Sequence, residues 1–351
     1  MVYKKAKVFL DGKFEEREFV SGKEPHNECK RPVYIIPRLV DIHSHGCAGF
    51  DFSYATVEEI EKMAEYYYSN GIGTVLATTM TESRETMLKA AENVPRYMAE
   101  HRLKESVIAG LYMEGPFFGK EKKGAHDEKY LMPVDLELLN EYCRAGNEQV
   151  KIVAFDPCVD GAGELIEKYK DRFVLTIAHT PCDYTKALEL MKNGINHVTH
   201  LYNAMDGLDK RKPGIPGAVL DTENCYAEII CDGIHIHPSV IRTMFKCHGD
   251  HMVLISDSMS ATGLSDGRYT LGGQEVTVKS GKATLSDGTI AGSVNNLYEM
   301  FKKAVSFGVP LEQAVAAATI NPAKSARLET QCGFVTEKSY LVLNEQLEII
   351  E

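Results

Sequence analysis

The chain has 351 residues, of which 44% are hydrophobic and 25% charged, and its formal net charge at pH 7 is −11. These fractions are typical of a soluble globular protein, and the length allows one large α/β barrel or two ordinary domains. The negative charge argues against nucleic acid and anionic membranes as partners, and no apolar run reaches the roughly 20 residues that span a bilayer.

Nine cysteines are scattered along the chain without any CxxC pair. An odd number of scattered thiols is typical of the reducing cytoplasm, so we expect a cytoplasmic protein. The start of the chain is basic, but its apolar residues are interrupted too early for a secretory signal peptide. We therefore expect neither secretion nor a membrane anchor.

Eight apolar runs with strand character alternate with helical patterns. The first comprises residues 33–36 and 39–42, broken by Pro37, and the others are 73–77, 107–113, 151–155, 173–178, 196–200, 226–231 and 252–256. Strands that alternate with helices indicate a parallel sheet. Eight such units predict an α/β fold, a closed (β/α)8 TIM-like barrel.

Two of the intervening segments have distinct helical patterns. Residues 56–69 begin with Thr56, a good N-cap, and carry Glu58 and Glu59 in the first turn. Residues 293–306 carry a stripe of apolar side chains on one face. We predict a helix at each segment, packed on the outside of the barrel.

The chain ends do not fit the barrel pattern. Short alternating strands near both ends predict that residues 1–36 and 326–351 form one small β-sandwich domain, which leaves 37–325 for the barrel. Between them, turn signals at Gly272-Gly273 and Ser280-Gly281 predict a β-hairpin insertion near residues 268–287.

Residues that commonly bind metals follow six of the eight runs. They are His43 with His45, Glu114, His179, His200, Asp232 with His235, and Asp257. The carboxyl ends of barrel strands converge on one rim, where active sites are built. His43 and His45 are two positions apart in an extended segment, so both imidazoles point the same way, as a divalent metal requires.

Asp257 follows the apolar segment 252–256. Burial and a nearby cation move the pKa of a carboxylate at a barrel mouth, which suits a general base acting on metal-bound water. Each of these polar residues also has a purely structural interpretation, such as a turn cap or a buried polar side chain. Their joint occurrence at strand ends favours a metal-dependent hydrolase.

Longer motifs resemble those of the N-acetylglucosamine-6-phosphate deacetylases, a family within the amidohydrolase superfamily. They are LVDIHSHG (39–46), LYMEGPFF with KGAHD (111–127), IAHT (177–180), VTHLYNAMDGLDKRKPGIPGA (198–218), IICDGIHI (229–236), LISDSMSATG (254–263) and GTIAGS (288–293). The motifs occur in family order, and THLYNAM and DGIH are specific to this family rather than to the superfamily.

The resemblance implies a role for each matching residue. Glu114, His179 and His200 would bind the principal metal, while His43 and His45 would allow a second ion. Asp257 would be the catalytic residue. The implied substrate contacts are Ala125, His126, Asn203, Ala204, Arg211, His235, Ile290, Ala291 and Gly292. Arg211 would reach the substrate phosphate from the neighbouring subunit, which implies a homodimer.

The implied reaction is hydrolysis of N-acetyl-D-glucosamine 6-phosphate to D-glucosamine 6-phosphate and acetate, in amino-sugar catabolism. Metal-activated water would attack the amide, while Asp257 accepts its proton and returns it to the leaving amine. One or two divalent ions per subunit are expected. Zinc comes first among the candidates, and Fe²⁺, Mn²⁺ and Co²⁺ are alternatives.

Three questions stay open in the sequence. Another amidohydrolase, such as a deacetylase of N-acetylgalactosamine 6-phosphate or of an N-acyl amino acid, would have the same metal site. A non-catalytic sugar-phosphate sensor is the other alternative, although the complete ligand set argues against it. Finally, Cys47, Cys158 and Cys231 lie near strand ends, and we expect them to be buried and not to bind the metal.

Overall fold

The computed structural model describes residues 1–22, 27–100, 107–337 and 339–351. In these residues the strands are β1 (Val2–Leu10), β2 (Lys13–Val20), β3 (Glu28–Cys29), β4 (Val33–Ile36), β5 (Leu39–Ser44), β6 (Gly46–Cys47), β7 (Phe50–Asp51), β8 (Ile72–Thr79), β9 (Ile108–Glu114), β10 (Val150–Phe155), β11 (Val174–Ile177), β12 (His197–Val198), β13 (Tyr226–Ile230), β14 (Met252–Ile255), β15 (Gly267–Leu271), β16 (Gln274–Lys279), β17 (Lys282–Thr284) and β18 (Leu341–Leu343). The α-helices are α1 (Val57–Ser69), α2 (Arg84–Glu100), α3 (Leu136–Ala145), α4 (Ala162–Tyr169), α5 (Tyr184–Lys192), α6 (Gly214–Leu220), α7 (Pro238–His248), α8 (Leu297–Ser306), α9 (Leu311–Ala318) and α10 (Ile320–Ser325).

Eight parallel strands form the barrel, in the order β14, β13, β12, β11, β10, β9, β8, β5. The first and last strands of this order meet just beyond their ends, where Asp257 N–H donates to the His43 carbonyl at 3.0 Å and His45 N–H donates to the Ser258 carbonyl at 2.8 Å. Helices follow the strands along the chain. The predicted (β/α)8 TIM-like barrel is confirmed.

The barrel strands are nearly continuous apolar runs because both faces of a parallel sheet are covered. Every residue of β5 and β14 is buried, and the largest hydrophobic cluster extends from these strands to the surrounding helices. The first apolar run of the sequence is divided between two sheets: Leu39–Ser44 enters the barrel, while Val33–Ile36 joins the terminal sheet.

Two helices test the helical predictions. The prediction for α1 is confirmed, with a capping box in which the Thr56 hydroxyl accepts from the Glu59 N–H and the Glu59 carboxylate accepts from the Thr56 N–H. For α8 the predicted start at residue 293 is wrong, because Asn296 and Glu299 form the capping box. Ser293 N–H donates instead to the Asp257 carbonyl at 2.7 Å, which holds it in the rim of the barrel.

Both chain ends contribute to one five-stranded sheet, in which β18 pairs with β4, β4 with β1, β1 with β2, and β3 with β1. It has its own small hydrophobic cluster, which includes Tyr3, Val8, Ile35 and Val342. In the described residues this unit is a single mixed sheet, where the sequence predicted two facing sheets. The domain boundaries at residues 36 and 326 stay a prediction.

The insertion after β14 is a three-stranded antiparallel sheet, β15–β16–β17, where the sequence predicted a hairpin. Both turn signals are used: Gly272 and Gly273 have φ of 50° and 69°, and Ser280 and Gly281 have φ of 52° and 75°. Its apolar side chains pack with Met80 and Ala125, so the insertion covers one side of the barrel rim. None of the described helices has the length and apolar character needed to cross a membrane.

Candidate active site

Six buried side chains converge at the carboxyl ends of the barrel strands. They are His43, His45, Glu114, His179, His200 and Asp257. Glu114 is the last residue of β9, and His43 lies within β5. His179, His200 and Asp257 each lie two residues past the end of their strand. The prediction that these strand ends meet at one rim is therefore confirmed by the positions of the residues.

His179, His200 and Asp257 share an unusual main-chain conformation, with φ of 45°, 26° and 46°. Residues other than glycine seldom adopt such values, which cost roughly 1–3 kcal/mol each and cluster at functional sites. The same left-handed turn after three different strands directs all three side chains to one region. The chain thus accepts backbone strain at the residues that converge.

The first of two ligand groups consists of Glu114, His179 and His200. Glu114 Oε1 lies 3.1 Å from His179 Nε2 and 3.0 Å from His200 Nε2, and the two Nε2 atoms are 3.1 Å apart. Metal–nitrogen and metal–oxygen bonds of roughly 2.0–2.2 Å in tetrahedral geometry place ligand atoms about 3.3–3.6 Å apart, slightly farther than the distances here. The spacing of this group fits one divalent cation.

The second group consists of His43, His45 and Asp257. His45 Nε2 lies 3.2 Å from Asp257 Oδ1 and 3.4 Å from His43 Nε2, while His43 Nε2 lies 3.7 Å from Asp257 Oδ1. The groups are joined by Glu114, whose Oε2 lies 3.1 Å from His45 Nε2. Glu114 Oε1 also lies 3.6 Å from His43 Nε2. One carboxylate therefore faces both groups.

Hydrogen bonds at the far side of two rings decide which nitrogen is free. His179 Nδ1 lies 3.0 Å from the Lys122 carbonyl, and His43 Nδ1 lies 2.9 Å from Glu228 Oε2. A carbonyl or carboxylate oxygen only accepts, so each Nδ1 carries the hydrogen and each Nε2 presents a lone pair to its group. Nε2 is then the nitrogen through which each ring can bind a cation, and it points toward the other members of its group, so these residues fit a metal.

The electrostatics of the site agree with an ionised carboxylate among histidines. Burial raises the pKa of Glu114, but the neighbouring His43, His179 and His200 outweigh burial and hold that pKa well below its usual range. Burial lowers the pKa of His43, but the carboxylates of Glu228 and Glu114 outweigh burial and raise it well above its usual range. The Glu114 carboxylate therefore stays negative and favours a proton or a metal cation at the histidine nitrogens that face it.

His126 lies beside the ligand groups, with Nε2 3.6 Å from Glu114 Oε2. Burial holds the pKa of His126 well below its usual range, so the ring is neutral. Its Nδ1 accepts the Thr81 N–H at 3.4 Å, which leaves the hydrogen on Nε2. His126 is thus a neutral donor directed into the site.

The ligand groups lie at the floor of a cavity of about 270 Å³, close to the roughly 300 Å³ lower end of small-molecule sites. Its lining includes seven of the nine predicted substrate contacts: Ala125, His126, Asn203, Ala204, His235, Ile290 and Gly292. Ala291 is buried in the hydrophobic cluster of the insertion and is not among the residues that line the cavity. Arg211 is exposed and lines a separate surface pocket with Lys212. The roles of all nine stay predictions.

The sequence interpretation missed other residues around the cavity. Met80, Leu271 and Thr289 line it, and Glu228 lies beneath it. Glu228 carried a signal, because a glutamate inside the apolar run 226–231 needs a buried partner. Met80 and Leu271 carried none, since apolar residues in strands and turns are common everywhere.

The cysteines stay outside both ligand groups in the part of the chain that the structure describes. Cys47 and Cys231 are buried as expected, but Cys158 is exposed, so the expected burial was wrong for that residue. Cys158 lies in the turn that follows β10, where Asp156 Oδ1 accepts its N–H at 2.8 Å.

A larger cavity of about 510 Å³ lies between the terminal sheet and the barrel, lined by Phe9, Asp250 and Lys324 among others. Neither ligand group in the described residues borders it. The smaller cavity is therefore the candidate active site, because residues of both ligand groups line it.

The family model for the amidohydrolase family matches residues 34–343. The chain belongs to the amidohydrolase family. Enzymes of this family depend on metals, in agreement with the two ligand groups.

Several proteins similar to this chain are named for reactions of amino-sugar phosphates. N-acetylglucosamine-6-phosphate deacetylase of Bacillus subtilis (strain 168) is 36% identical over 296 residues, which cover 82% of this chain and 75% of the relative. N-acetylgalactosamine-6-phosphate deacetylase of Escherichia coli O157:H7 is 30% identical over 292 residues, which cover 83% and 77%. A mutant N-acetyl-D-glucosamine-6-phosphate deacetylase of Mycobacterium smegmatis, solved in complex with N-acetyl-D-glucosamine-6-phosphate, matches with a TM-score of 0.87 at 28% identity, over 99% of this chain and 95% of that one.

Proposed function

We propose that this amidohydrolase removes the N-acetyl group of N-acetyl-D-glucosamine 6-phosphate, giving D-glucosamine 6-phosphate and acetate, in amino-sugar catabolism. The observation that carries the proposal is the pair of buried ligand groups at a cavity floor, which are joined through Glu114 and one of which includes Asp257. The names of similar proteins support the substrate class.

We propose that two divalent ions, zinc first among the candidates, bind to the two groups. Glu114, His179 and His200 would hold one, and His43, His45 and Asp257 the other, with Glu114 between them. When bound, such ions polarise a carbonyl and lower the pKa of water toward neutrality. Zinc and ferrous iron both accept carboxylate and imidazole ligands, so the cell's supply decides between them.

Asp257 would move the proton. Burial raises its pKa, but the hydrogen bond to His45 and the charge of His43 outweigh burial and lower it. The carboxylate is therefore ionised at neutral pH and free to accept a proton from water in the cavity. Once protonated, Asp257 can give that proton to the amine nitrogen. This transfer is needed because the amine would leave too slowly as an anion.

His126 would stabilise the acetamide oxygen. Its ring is neutral and its Nε2 carries the hydrogen, so it donates to an oxygen that becomes negative during attack. His235 would contact the sugar, because its Nδ1 is 2.7 Å from Asp232 Oδ2, which leaves Nε2 for the cavity. Both assignments use donors that the protein holds in place before substrate arrives.

Arg211 would bind the 6-phosphate in the active site of a second subunit of a homodimer. Its side chain is exposed and lies away from the cavity of its own chain. A guanidinium pairs well with phosphate oxygens through two parallel hydrogen bonds. We also propose a cytoplasmic location, because all nine cysteines are free thiols.

The test is acetate release from four sugars by the zinc-loaded protein. They are N-acetylglucosamine and N-acetylgalactosamine, each with and without the 6-phosphate. We expect hydrolysis of N-acetylglucosamine 6-phosphate to be fastest. Faster hydrolysis of the galactosamine phosphate, which differs at one carbon, would support the alternative deacetylase. Absence of hydrolysis for all four would contradict both.

A further inference from the structure

A second carboxylate, Glu228, lies directly beneath the ligand groups without belonging to either. It is the third residue of β13 and is fully buried. Its Oε2 lies 2.9 Å from His43 Nδ1 and accepts the His200 N–H at 3.2 Å. One oxygen atom thus contacts one histidine from each group.

The contact with His43 determines how that ring can bind a metal. A carboxylate oxygen only accepts, so Nδ1 carries the hydrogen and Nε2 faces His45 and Asp257 with a lone pair. A carboxylate behind a ligating imidazole also increases the electron density on the free nitrogen, and loss of such a partner typically weakens metal binding by about 10–100-fold.

The contact with His200 acts through the main chain. Residue 200 has φ of 26°, and its ring Nδ1 has no hydrogen-bond partner among the described residues. Its ring therefore has no second hydrogen bond comparable to the one between His179 and the Lys122 carbonyl. The His200 N–H bond to Glu228 holds the left-handed turn that directs this ring toward Glu114.

The charge of Glu228 has no ordinary partner. In the described part of the chain its ion-pair contacts are His43 and, at 3.8 Å, His197, and its Oε1 accepts no hydrogen bond. Burying a carboxylate with so little compensation is costly, so a structural role alone explains it poorly. Cations at the ligand groups a few ångströms away would supply the missing positive charge.

We propose that Glu228 is a positioning residue that prepares both metal-binding groups at once. Its Oε2 fixes the Nδ1–H tautomer of His43 and the main-chain turn of His200. This inference rests on the proposed function only in that both groups bind metal; it does not depend on the sugar. A carboxylate that serves both groups predicts that its replacement weakens both, although neither ion touches it.

The first test is metal affinity of E228Q, measured by chelator competition and elemental analysis of the zinc-loaded protein. The amide oxygen of glutamine still accepts both N–H groups, so folding should be retained while the charge is lost. We expect the dissociation constant of the His43 group to rise about 10-fold or more. E228L, which has no acceptor, should weaken both groups further.

Asp156→Asn is the matched control. Asp156 is also a buried carboxylate after a barrel strand, but within the described residues it accepts hydrogen bonds only from the Gly119 and Cys158 N–H groups. D156N should keep the metal affinity of the wild type. Equal affinities for E228Q, D156N and the wild type would overturn the proposal.

The second test needs no folded variant. In ¹⁵N-histidine NMR of the zinc-loaded wild-type protein, His43 should show a protonated Nδ1 and a metal-bound Nε2. The opposite tautomer would overturn the proposal even if E228Q failed to fold. The proposed deacetylase function fails separately, if the wild-type protein binds metal with this tautomer yet hydrolyses none of the four sugars.

Discussion

Glu114 Oε2 lies 3.1 Å from His45 Nε2, and this contact joins two groups of metal-ligand residues into one site. Glu114 Oε1 faces His179 and His200 at 3.1 and 3.0 Å. A carboxylate that faces the histidines of both groups is suited to hold two cations. The sequence left the number of ions open, and this relationship favours two.

Metal content should therefore depend on Glu114 more than on His45. We expect two ions per chain in the wild type, one in H45N, and fewer than one in E114Q, because the Glu114 carboxylate faces the ligand nitrogens of both groups. Elemental analysis after dialysis against metal-free buffer measures this. E114Q with two tightly held ions would show that Glu114 does not bridge.

Replacing Asp257 with asparagine should separate catalysis from metal binding at the Glu114 group. An amide cannot accept the proton, so we expect kcat to fall by about 10²–10⁴-fold. Glu114, His179 and His200 are unchanged, so at least one ion should remain bound. The comparison is with D156N, and a D257N enzyme with near-normal kcat would assign the proton transfer to another group.

The raised pKa of Asp41 should make the stability of the metal-free protein depend on pH. Burial raises its pKa to about 7, against about 3.9 in an unfolded chain. Between these values the folded state binds a proton that the unfolded state has released, so stability falls as pH rises through this window. Above pH 7 the free energy of unfolding has lost this whole contribution, which is at most about 4 kcal/mol.

D41N should remove this dependence, because asparagine still accepts the Ser256 and His43 N–H groups that bond to Asp41 Oδ1. We expect the melting temperature of metal-free D41N, relative to that of the metal-free wild type, to increase as the pH is raised from 5 to 8. Parallel curves for the two proteins would mean that Asp41 is ionised throughout.

Arg211 should act between subunits. R211A should raise KM for the phosphorylated sugar with little change in kcat, and unphosphorylated sugar should be unaffected. Mixing R211A with D257N subunits gives dimers in which one site combines an intact Asp257 with an Arg211 from the partner. We expect the mixture to regain a low-KM activity that neither variant has alone. Lack of rescue in verified mixed dimers would place Arg211 in its own subunit's site.

Much of the fold was predictable because the barrel repeats a simple pattern. Each apolar run is long enough to be buried on both faces, so the eight strands could be recognised one by one. The start of α8 was misplaced because Ser293 is apolar-flanked and helix-compatible, yet it bonds to the Asp257 carbonyl across the rim. Such a contact between distant segments leaves no local signal.

The metal-ligand residues could be predicted for a related reason, but the residues that hydrogen-bond to them could not. His43, Glu114 and His200 occupy strand ends, a position that parallel strands bring together. Glu228 lies inside a strand, and its role depends on reaching His43 across the barrel at 2.9 Å. Sequence spacing gives the direction of a side chain along its own strand but not its neighbour on another strand.

The most direct test of the whole account is acetate release from N-acetylglucosamine 6-phosphate by the wild-type protein, before and after metal removal. We predict turnover that disappears when a chelator removes the ions and returns when zinc is restored. Undiminished turnover in demonstrably metal-free protein, or none with two ions bound at Glu114, would contradict it.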